Sequence, residues 1–236
     1  MRPALEAAAA QLGLDLSPTQ IDQLLAYLAL LQKWNKVYNL TAVRDPAQML
    51  SHHLIDSLAV IAPLMRHGAA IRAPGRPKAE LPSLGEVPAY SQAEGQQVSR
   101  LMDVGAGGGL PGVVIAICCP GSDVSCVDAV AKKASFIQQA AAELKLPNLH
   151  GVHSRVEALS TPPFGVITSR AFASLADFTA LTRQHLAPGA VWMAMKGQHP
   201  ADEIAALPAD VDVFHVEQLA VPGLDAQRCL VWMRQR

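Results

Sequence analysis

The chain has 236 residues, half of them apolar, and a formal net charge of −1. That length suits one large domain or a domain with an appendage, and no stretch approaches the roughly 18 uninterrupted apolar residues of a membrane span. The near-neutral balance speaks against a protein that coats nucleic acid non-specifically, since such affinity comes from neutralising phosphates.

The segment Met1-Arg2-Pro3-Ala4-Leu5-Glu6 lacks the apolar core of a secretory signal, so a cytoplasmic protein is expected. Ser17-Pro18-Thr19-Gln20 carries a capping-box pattern with proline at the first helical position. Ile21, Leu24, Leu25, Leu28 and Leu31 follow at helical spacing, which predicts an amphipathic helix. It runs into Trp34-Asn35-Lys36-Val37-Tyr38-Asn39-Leu40-Thr41, where Asn and Thr end the periodicity. Trp34 extends the Leu31 face and reads as packing between this helix and the rest of the protein. Asp45-Pro46 opens a second helix with Leu50, Leu54, Leu58 and Ile61 on one face, stopping before Gly68. Residues 1–66 therefore read as an N-terminal helical cap. From 67 to 99 the composition turns to Pro, Gly, Ala, Glu and Gln without periodicity, which reads as an insertion or linker with poor order expected between about Arg72 and Gln97.

Leu101-Met102-Asp103-Val104-Gly105-Ala106-Gly107-Gly108-Gly109-Leu110-Pro111-Gly112 places an acidic residue and five glycines between an apolar strand and an apolar helix. Glycine is needed where a strand-to-helix turn takes positive φ and where a Cβ would hold the backbone away from a ligand. Gly107, Gly109 and Gly112 fit G-x-G-x-x-G, which by itself suggests a dinucleotide. The wider pattern, Asp103-x-Gly105-x-Gly107 with Asp128 closing the next strand, is similar to the arrangement of S-adenosylmethionine methyltransferases.

Beyond this run the pattern alternates. Strand Leu101 to Val104, helix Leu110 to Cys119, strand Val124 to Asp128, helix Ala131 to Leu144, strand Leu149 to His153, strand Val166 to Ser169, helix Leu175 to His185 and strand Ala190 to Met195 make successive βα units. Val211 to Leu219 and Arg228 to Arg234 read as two closing antiparallel strands joined through Pro222-Gly223. The expected fold is α/β: a Rossmann-like, mixed seven-stranded methyltransferase sheet in residues 100–236, helices on both faces, plus the cap. Cys118, Cys119, Cys126 and Cys229 form no C-x-x-C pair and read as buried free thiols. The eight histidines form no metal-spaced set, and adjacent His52 and His53 point about 100° apart on a helix, so no metal is expected.

Six motifs in order, Trp34 to Thr41, His53-Leu54-Ile55-Asp56-Ser57-Leu58, Asp103 to Gly112, Ser154-Arg155-Val156-Glu157, Ser169-Arg170-Ala171-Phe172-Ala173 and Lys196-Gly197-Gln198, resemble the RsmG (GidB) family over nearly the whole chain. Proteins of that family methylate N7 of a guanine in 16S rRNA. The resemblance implies S-adenosylmethionine as cofactor, with Gly105 against its methionine part, Leu110 beside it, and Val156 and Glu157 at the adenine side. Arg170 matches the arginine that the family assigns to the cofactor site. Asp103 and Gly107 belong to the same cradle, and Asp128, by the logic of this architecture, holds the ribose hydroxyls. The insertion before Ser99 departs from the family pattern.

Guanine N7 carries a lone pair and no proton, so attack on a sulfonium methyl needs no general base and catalysis rests on alignment. No nucleophilic cysteine and no acid/base dyad are expected. Arg170 is the leading catalytic residue, because a guanidinium can fork to the acceptor edge of guanine; its structural alternative is an ion pair with Glu157 or Asp103. Lys132, Arg155 and Lys196 are expected at RNA phosphates, and Asn39 and His53 from the cap at RNA, each reading singly also as a solvated or helix-ending residue. The partner implied is 16S rRNA or the small ribosomal subunit, with no membrane, and the protein is expected to act as a monomer. Two other classes stay open: an NAD-dependent oxidoreductase, for which no Tyr-x-x-x-Lys pair is present among three tyrosines, and a non-catalytic S-adenosylmethionine-fold module that binds ribosomes.

Overall fold

The computed structural model describes residues 1–71, 100–170 and 172–236, the side chains of 68–71 excepted. The poor order expected for 72–97 lies outside the described residues.

The cap begins with a helix that the periodicity did not single out, α1 (Arg2–Gln11), an alanine-rich segment burying Leu5, Ala8 and Ala9. α2 (Pro18–Tyr38) starts at the predicted capping box: the Gln20 N–H donates to Ser17 Oγ and the Ser17 N–H to Gln20 Oε1. Asn39 ends it with φ +50, the left-handed conformation that asparagine tolerates better than most residues.

The second expected helix starts where predicted, with Asp45 accepting the Gln48 N–H at 2.9 Å, but it is not continuous. It runs as α3 (Pro46–Met49), a π-helical turn (Leu50–Ile55), α4 (Asp56–Leu58) and, after a break at Ala59 and Val60, α5 (Ile61–Ile71), which passes the expected stop before Gly68 because a single glycine lowers helix stability without ending the helix. Leu50, Leu54, Leu58 and Ile61 are buried as the spacing implied. Residues 53–61 are all buried, so this stretch is enclosed on every side, and a one-face pattern could reveal only part of it.

The sheet comprises β1 (Arg100–Val104), β2 (Asp123–Asp128), β3 (Leu149–His153), β4 (Phe164–Arg170), β5 (Leu186–Lys196), β6 (Val211–Leu219) and β7 (Arg228–Gln235). Its order is β3-β2-β1-β4-β5-β7-β6. β7 is antiparallel to both neighbours, and the other pairs are parallel. This is the expected mixed seven-stranded sheet. Between them lie α6 (Gly112–Cys118), α7 (Ala131–Glu143), α8 (Leu175–Thr182) and the short α9 (Ala201–Ala205), which the sequence pattern did not disclose. α6 starts two residues later than expected, with Pro111 at its N-cap rather than inside its first turn.

Side chains along β1 alternate between two cores. Leu101 faces one formed by α1, α2, the α3–α5 run, α6 and α7; Met102 and Val104 face another that includes Leu175 and Phe178 of α8. The cap thus shares a core with one face of the sheet. Gln20 and Gln23 of α2 donate to the carbonyls of Ile117 and Leu144, the last turns of α6 and α7, satisfying helix-end acceptors that would otherwise be unpaired. Trp34 packs edge-on against Phe136 of α7, ring centroids 5.4 Å apart. All four cysteines are buried free thiols.

Candidate functional site

Strand order reverses between β1 and β4, since β2 and β3 lie to one side of β1 and β4 and β5 to the other. In an open parallel sheet, the crevice beyond the strand carboxyl ends at such a switch point is the natural ligand position. Val104, Asp128, His153, Arg170 and Lys196 end the five parallel strands along this rim.

β1 turns back at once. The N–H groups of Gly105 and Ala106 both donate to the Val127 carbonyl, at 2.9 and 3.3 Å. Gly107 has φ +60, and a Cβ there would have only the Gly105 carbonyl near it, at 3.9 Å. This glycine serves conformation and leaves open space on the rim. At Gly112 a Cβ would sit 2.3 Å from Cys126 Sγ and 2.9 Å from Asp103 Oδ2, so that glycine lets α6 approach the sheet.

Asp103 is fully buried. Its Oδ2 accepts the Gly112 N–H at 2.8 Å, tying β1 to the start of α6, while Oδ1 has no hydrogen-bond partner among the described residues. Burial pushes this carboxyl up to about 7, against the lowering effects of the Gly112 N–H and the Arg170 guanidinium. Asp128 closes β2 beside it: Oδ2 accepts the Gly107 N–H at 3.0 Å, Oδ1 the Val130 N–H at 2.9 Å, and Lys133 Nζ lies 3.7 Å from Oδ2. Tyr27 of α2 donates its hydroxyl to the Gly108 carbonyl at 2.6 Å, so the cap grips the glycine turn from behind.

These residues fit the S-adenosylmethionine that the resemblance implies. Asp128 offers carboxylate acceptors for ribose hydroxyls, the orphaned Asp103 Oδ1 sits within the cradle, and Gly107 keeps the surface open. Val130 is a large apolar side chain exposed at 39% beside Asp128, as contact with a purine ring needs. Val156 is buried and Glu157 exposed in the short turn after β3. Leu110 is buried in the core shared with the cap. Phe172 lies against Gly105, where an added Cβ would meet its ring at 2.7 Å. Beside it, a cavity of about 10 Å³ is lined by Ser169, Phe172, Met195 and Lys196 among others, room for about one water. A larger cleft of about 640 Å³ lies between α7 and the outer strand β3, where it includes Lys145 and Leu149, away from the glycine turn.

Arg170 pairs with neither Glu157 nor Asp103, the alternatives that the sequence suggested. Its Nη1 donates to the His52 carbonyl at 3.0 Å and to Asp56 Oδ2 at 3.2 Å. Asp56 is 2% exposed, and its Oδ1 accepts from Arg228 Nε at 2.8 Å. One cap carboxylate therefore holds two arginines, from β4 and β7. Local spacing pointed to neither Asp56's partners nor Arg228; the available signal was a charged residue inside an apolar helical run.

Among the expected RNA contacts, Lys132 and Arg155 are exposed, and Asn39 is exposed at the α2 C-cap with its Oδ1 accepting from Arg44. Lys196 Nζ is held by both Glu203 oxygens, at 2.9 and 2.7 Å. His53 lies inside the cap, 6% exposed, with Nε2 2.6 Å from Thr41 Oγ1. Burial, aided by Arg170, lowers its imidazole to about 4.

The family model described as rRNA small subunit methyltransferase G, GidB, matches residues 20–71 and 83–231. A protein of Acidovorax sp. (strain JS42) named ribosomal RNA small subunit methyltransferase G is 64% identical over 231 residues, covering 98% of this chain and 94% of that one. A protein of the same name from Leptothrix cholodnii is 59% identical over 235 residues, covering 100% of this chain and 96% of that one.

Proposed function

The chain belongs to the GidB family of rRNA small subunit methyltransferases G, and from that premise we propose that it methylates N7 of one guanine in the 16S rRNA of the small ribosomal subunit, using S-adenosylmethionine. The observation that carries this reading is the glycine turn at the strand-order switch, with Asp128 at its side and Arg170 across the crevice at the end of β4.

When bound, S-adenosylmethionine supplies an electrophilic methyl on a positively charged sulfur. Asp128, Gly107 and Val130 would hold the nucleoside part, and Asp103 and Gly105 the methionine part. Arg170 is the catalytic residue of this reading: fixed by Asp56 and the His52 carbonyl, it would present its remaining N–H groups to guanine O6, leaving the N7 lone pair free, and so orient the ring. Because N7 bears no proton, no side chain has to remove one, and orientation supplies the acceleration, as much as roughly 7–11 kcal/mol in favourable cases. Fixed dipoles and little water at this site would favour a transfer that leaves positive charge on the guanine.

Lys132 and Arg155, exposed at the start of α7 and after β3, support an RNA-facing rim, with Asn39 at the cap. Lys196 joins that surface only by exchanging Glu203 for a phosphate. His53 supports the cap from within. Residues 1–66 and the rest of α5, to Ile71, act as the cap that buttresses the glycine turn, the residues from there to 99 as an insertion, and 100–236 as the methyl-transfer core. The protein acts as a monomer in the cytoplasm; no helix among the described residues is long and apolar enough to cross a membrane.

The test is transfer of labelled methyl from S-adenosylmethionine to small subunits lacking the modification, followed by borohydride and aniline cleavage. One cleavage site is expected. Cofactor binding without label transfer would replace the enzyme by a non-catalytic ribosome-binding module, and binding of NAD in its place would favour an oxidoreductase.

A further inference from the structure

His67 and the pair His215 and Glu217 stand far apart in sequence, and the fold brings them together on the cap side of the sheet. α5 delivers His67; β6 delivers the other two. A bulge in β6 is what turns them. Before it, Val211 and Val213 face the core shared with α8. The register against β7 shifts between Val213 and His215, and beyond the shift His215 and Glu217 stand opposite Trp232 and Leu230, both of which face the cap side. Without the extra residue, strand alternation would send both to the opposite face.

We propose that His67, His215 and Glu217 form a binding site for a divalent transition-metal ion, zinc(II) being the best match, which clamps α5 to β6. One potential ligand atom from each residue lies within 4.8 Å of the other two. Ligand atoms of a tetrahedral zinc site are separated by roughly 3.4 Å, so side-chain rotations of about an ångström close the set. Two imidazoles and a carboxylate suit zinc and leave its fourth position for water.

The carboxylate is already divided as such a site requires. Arg66 pairs with Glu217 Oε1, whereas Oε2 is buried without a hydrogen-bond partner among the described residues and faces His215 Nε2 at 4.0 Å. Arg66 then acts as the outer partner that orients a ligating carboxylate. Apolar walls surround the set: the His67 ring lies 4.1 Å from that of Trp232 and 5.9 Å from that of Phe214, centroid to centroid. The site stands apart from the glycine turn and from the methyl-transfer reading, and its test is independent of both.

The experiment takes the full chain, treats it with chelator, and titrates it with Zn²⁺ by calorimetry and with Co²⁺ by visible absorption. One equivalent of zinc should bind, cobalt should give the intense d–d bands of a four-coordinate site, and zinc should raise Tm by several degrees. Glu217→Gln, nearly isosteric, and His215→Ala should each lose the cobalt bands and the zinc-dependent rise in Tm. If His215→Ala fails to fold, Glu217→Gln and the wild-type cobalt spectrum decide. Absence of stoichiometric binding by the wild type overturns the site, as does uptake by the variants equal to that of the wild type.

Discussion

Arg170 Nη1 lies 3.2 Å from Asp56 Oδ2, so the cap holds the arginine that ends β4. The same carboxylate accepts from Arg228 Nε at 2.8 Å, and its side chain is only 3% exposed. Such a carboxylate is retained at a considerable desolvation cost, which the two guanidinium groups offset together. It ties the N-terminal helices to the sheet, since removing this buried acid would release an arginine of β4 and another of β7.

Asp56→Ala should therefore lower both stability and methyl transfer. Breaking a buried ion pair costs about 3–5 kcal/mol, and because both arginines are partly solvated the loss should fall toward about 2–3 kcal/mol. Asp56→Asn keeps an acceptor and should lose less stability. If positioning is what Asp56 does, both variants bind S-adenosylmethionine normally and turn over slowly. Urea melts, cofactor calorimetry and single-turnover transfer distinguish this from a general loss of fold, and unimpaired turnover in a folded Asp56→Ala would remove the positioning role.

Arg170→Lys separates charge from shape. A lysine retains the positive charge but lacks the planar fork, and it cannot span the His52 carbonyl and Asp56 while presenting further donors to a base. Transfer should drop at least tenfold for Lys and further for Ala, with the circular dichroism spectrum retained, and any accompanying loss of cofactor affinity, read by calorimetry, measures the part of Arg170 that serves the cofactor. Full activity in Arg170→Lys would show that only a point charge is needed there.

Asp128→Ala should weaken S-adenosylmethionine binding by about ten- to a hundredfold, because a charge-assisted hydrogen bond to a ribose hydroxyl contributes roughly 1.5–3 kcal/mol. The substitution also frees the N–H groups of Gly107 and Val130, so the turn itself loosens. Asp128→Asn retains one acceptor and should recover part of the affinity. Calorimetry with S-adenosylhomocysteine reads both variants, and unchanged affinity in Asp128→Ala would detach this residue from the cofactor.

The strands, the glycine turn, the capping box and the N-terminal boundary of the second helix were legible because each is written in local spacing. Asp103 and Gly112, nine residues apart, share one turn. The Arg170 clamp was not legible: Asp56 lies 114 and 172 residues from its two partners, and no periodicity encodes a pairing made by chain topology. α1 escaped because alanine gives little contrast between faces, and the break at Ala59 and Val60 because the enclosed stretch 53–61 has no exposed face against which to read a period. His53 looked like a cap residue available to RNA, but its exposure depended on the burial of residues 53–61 as a unit, which only the packed structure reveals.

Gly112→Ala tests the close approach of α6 to the sheet. The new Cβ would stand 2.3 Å from Cys126 Sγ and 2.9 Å from Asp103 Oδ2, inside van der Waals contact, and both neighbours are themselves buried. Overpacking of this kind costs about 1–3 kcal/mol. Cys126→Ala removes the sulfur, so the double variant should recover part of the loss, with Asp103 still limiting it. Denaturant unfolding of the two single variants and the double variant gives the coupling, and strict additivity would show that the sulfur contact is not the source.

Acid should loosen the cap through His53. Its folded pKa, about 4, lies below the ordinary histidine value of 6.5, chiefly because the ring is buried and then because Arg170 is near. Between those values the unfolded chain binds the proton more readily, so stability rises with pH across this window. The contribution is fully present above about 6.5 and is lost as pH falls through about 4. His53→Asn removes the titration while keeping a polar group toward Thr41, so the gap in unfolding free energy between wild type and variant should shift in favour of the variant as pH falls from 7 to 4.5. The shift should be on the order of 2 kcal/mol. Asp56, His52 and Arg170 are the other charged or titratable groups acting on the ring and are common to both proteins, so the difference isolates His53. Urea melts at pH 7, 5.5 and 4.5 in the presence of chelator measure it, and parallel curves for the two proteins would show that His53 carries its proton as readily inside the cap as in the unfolded chain.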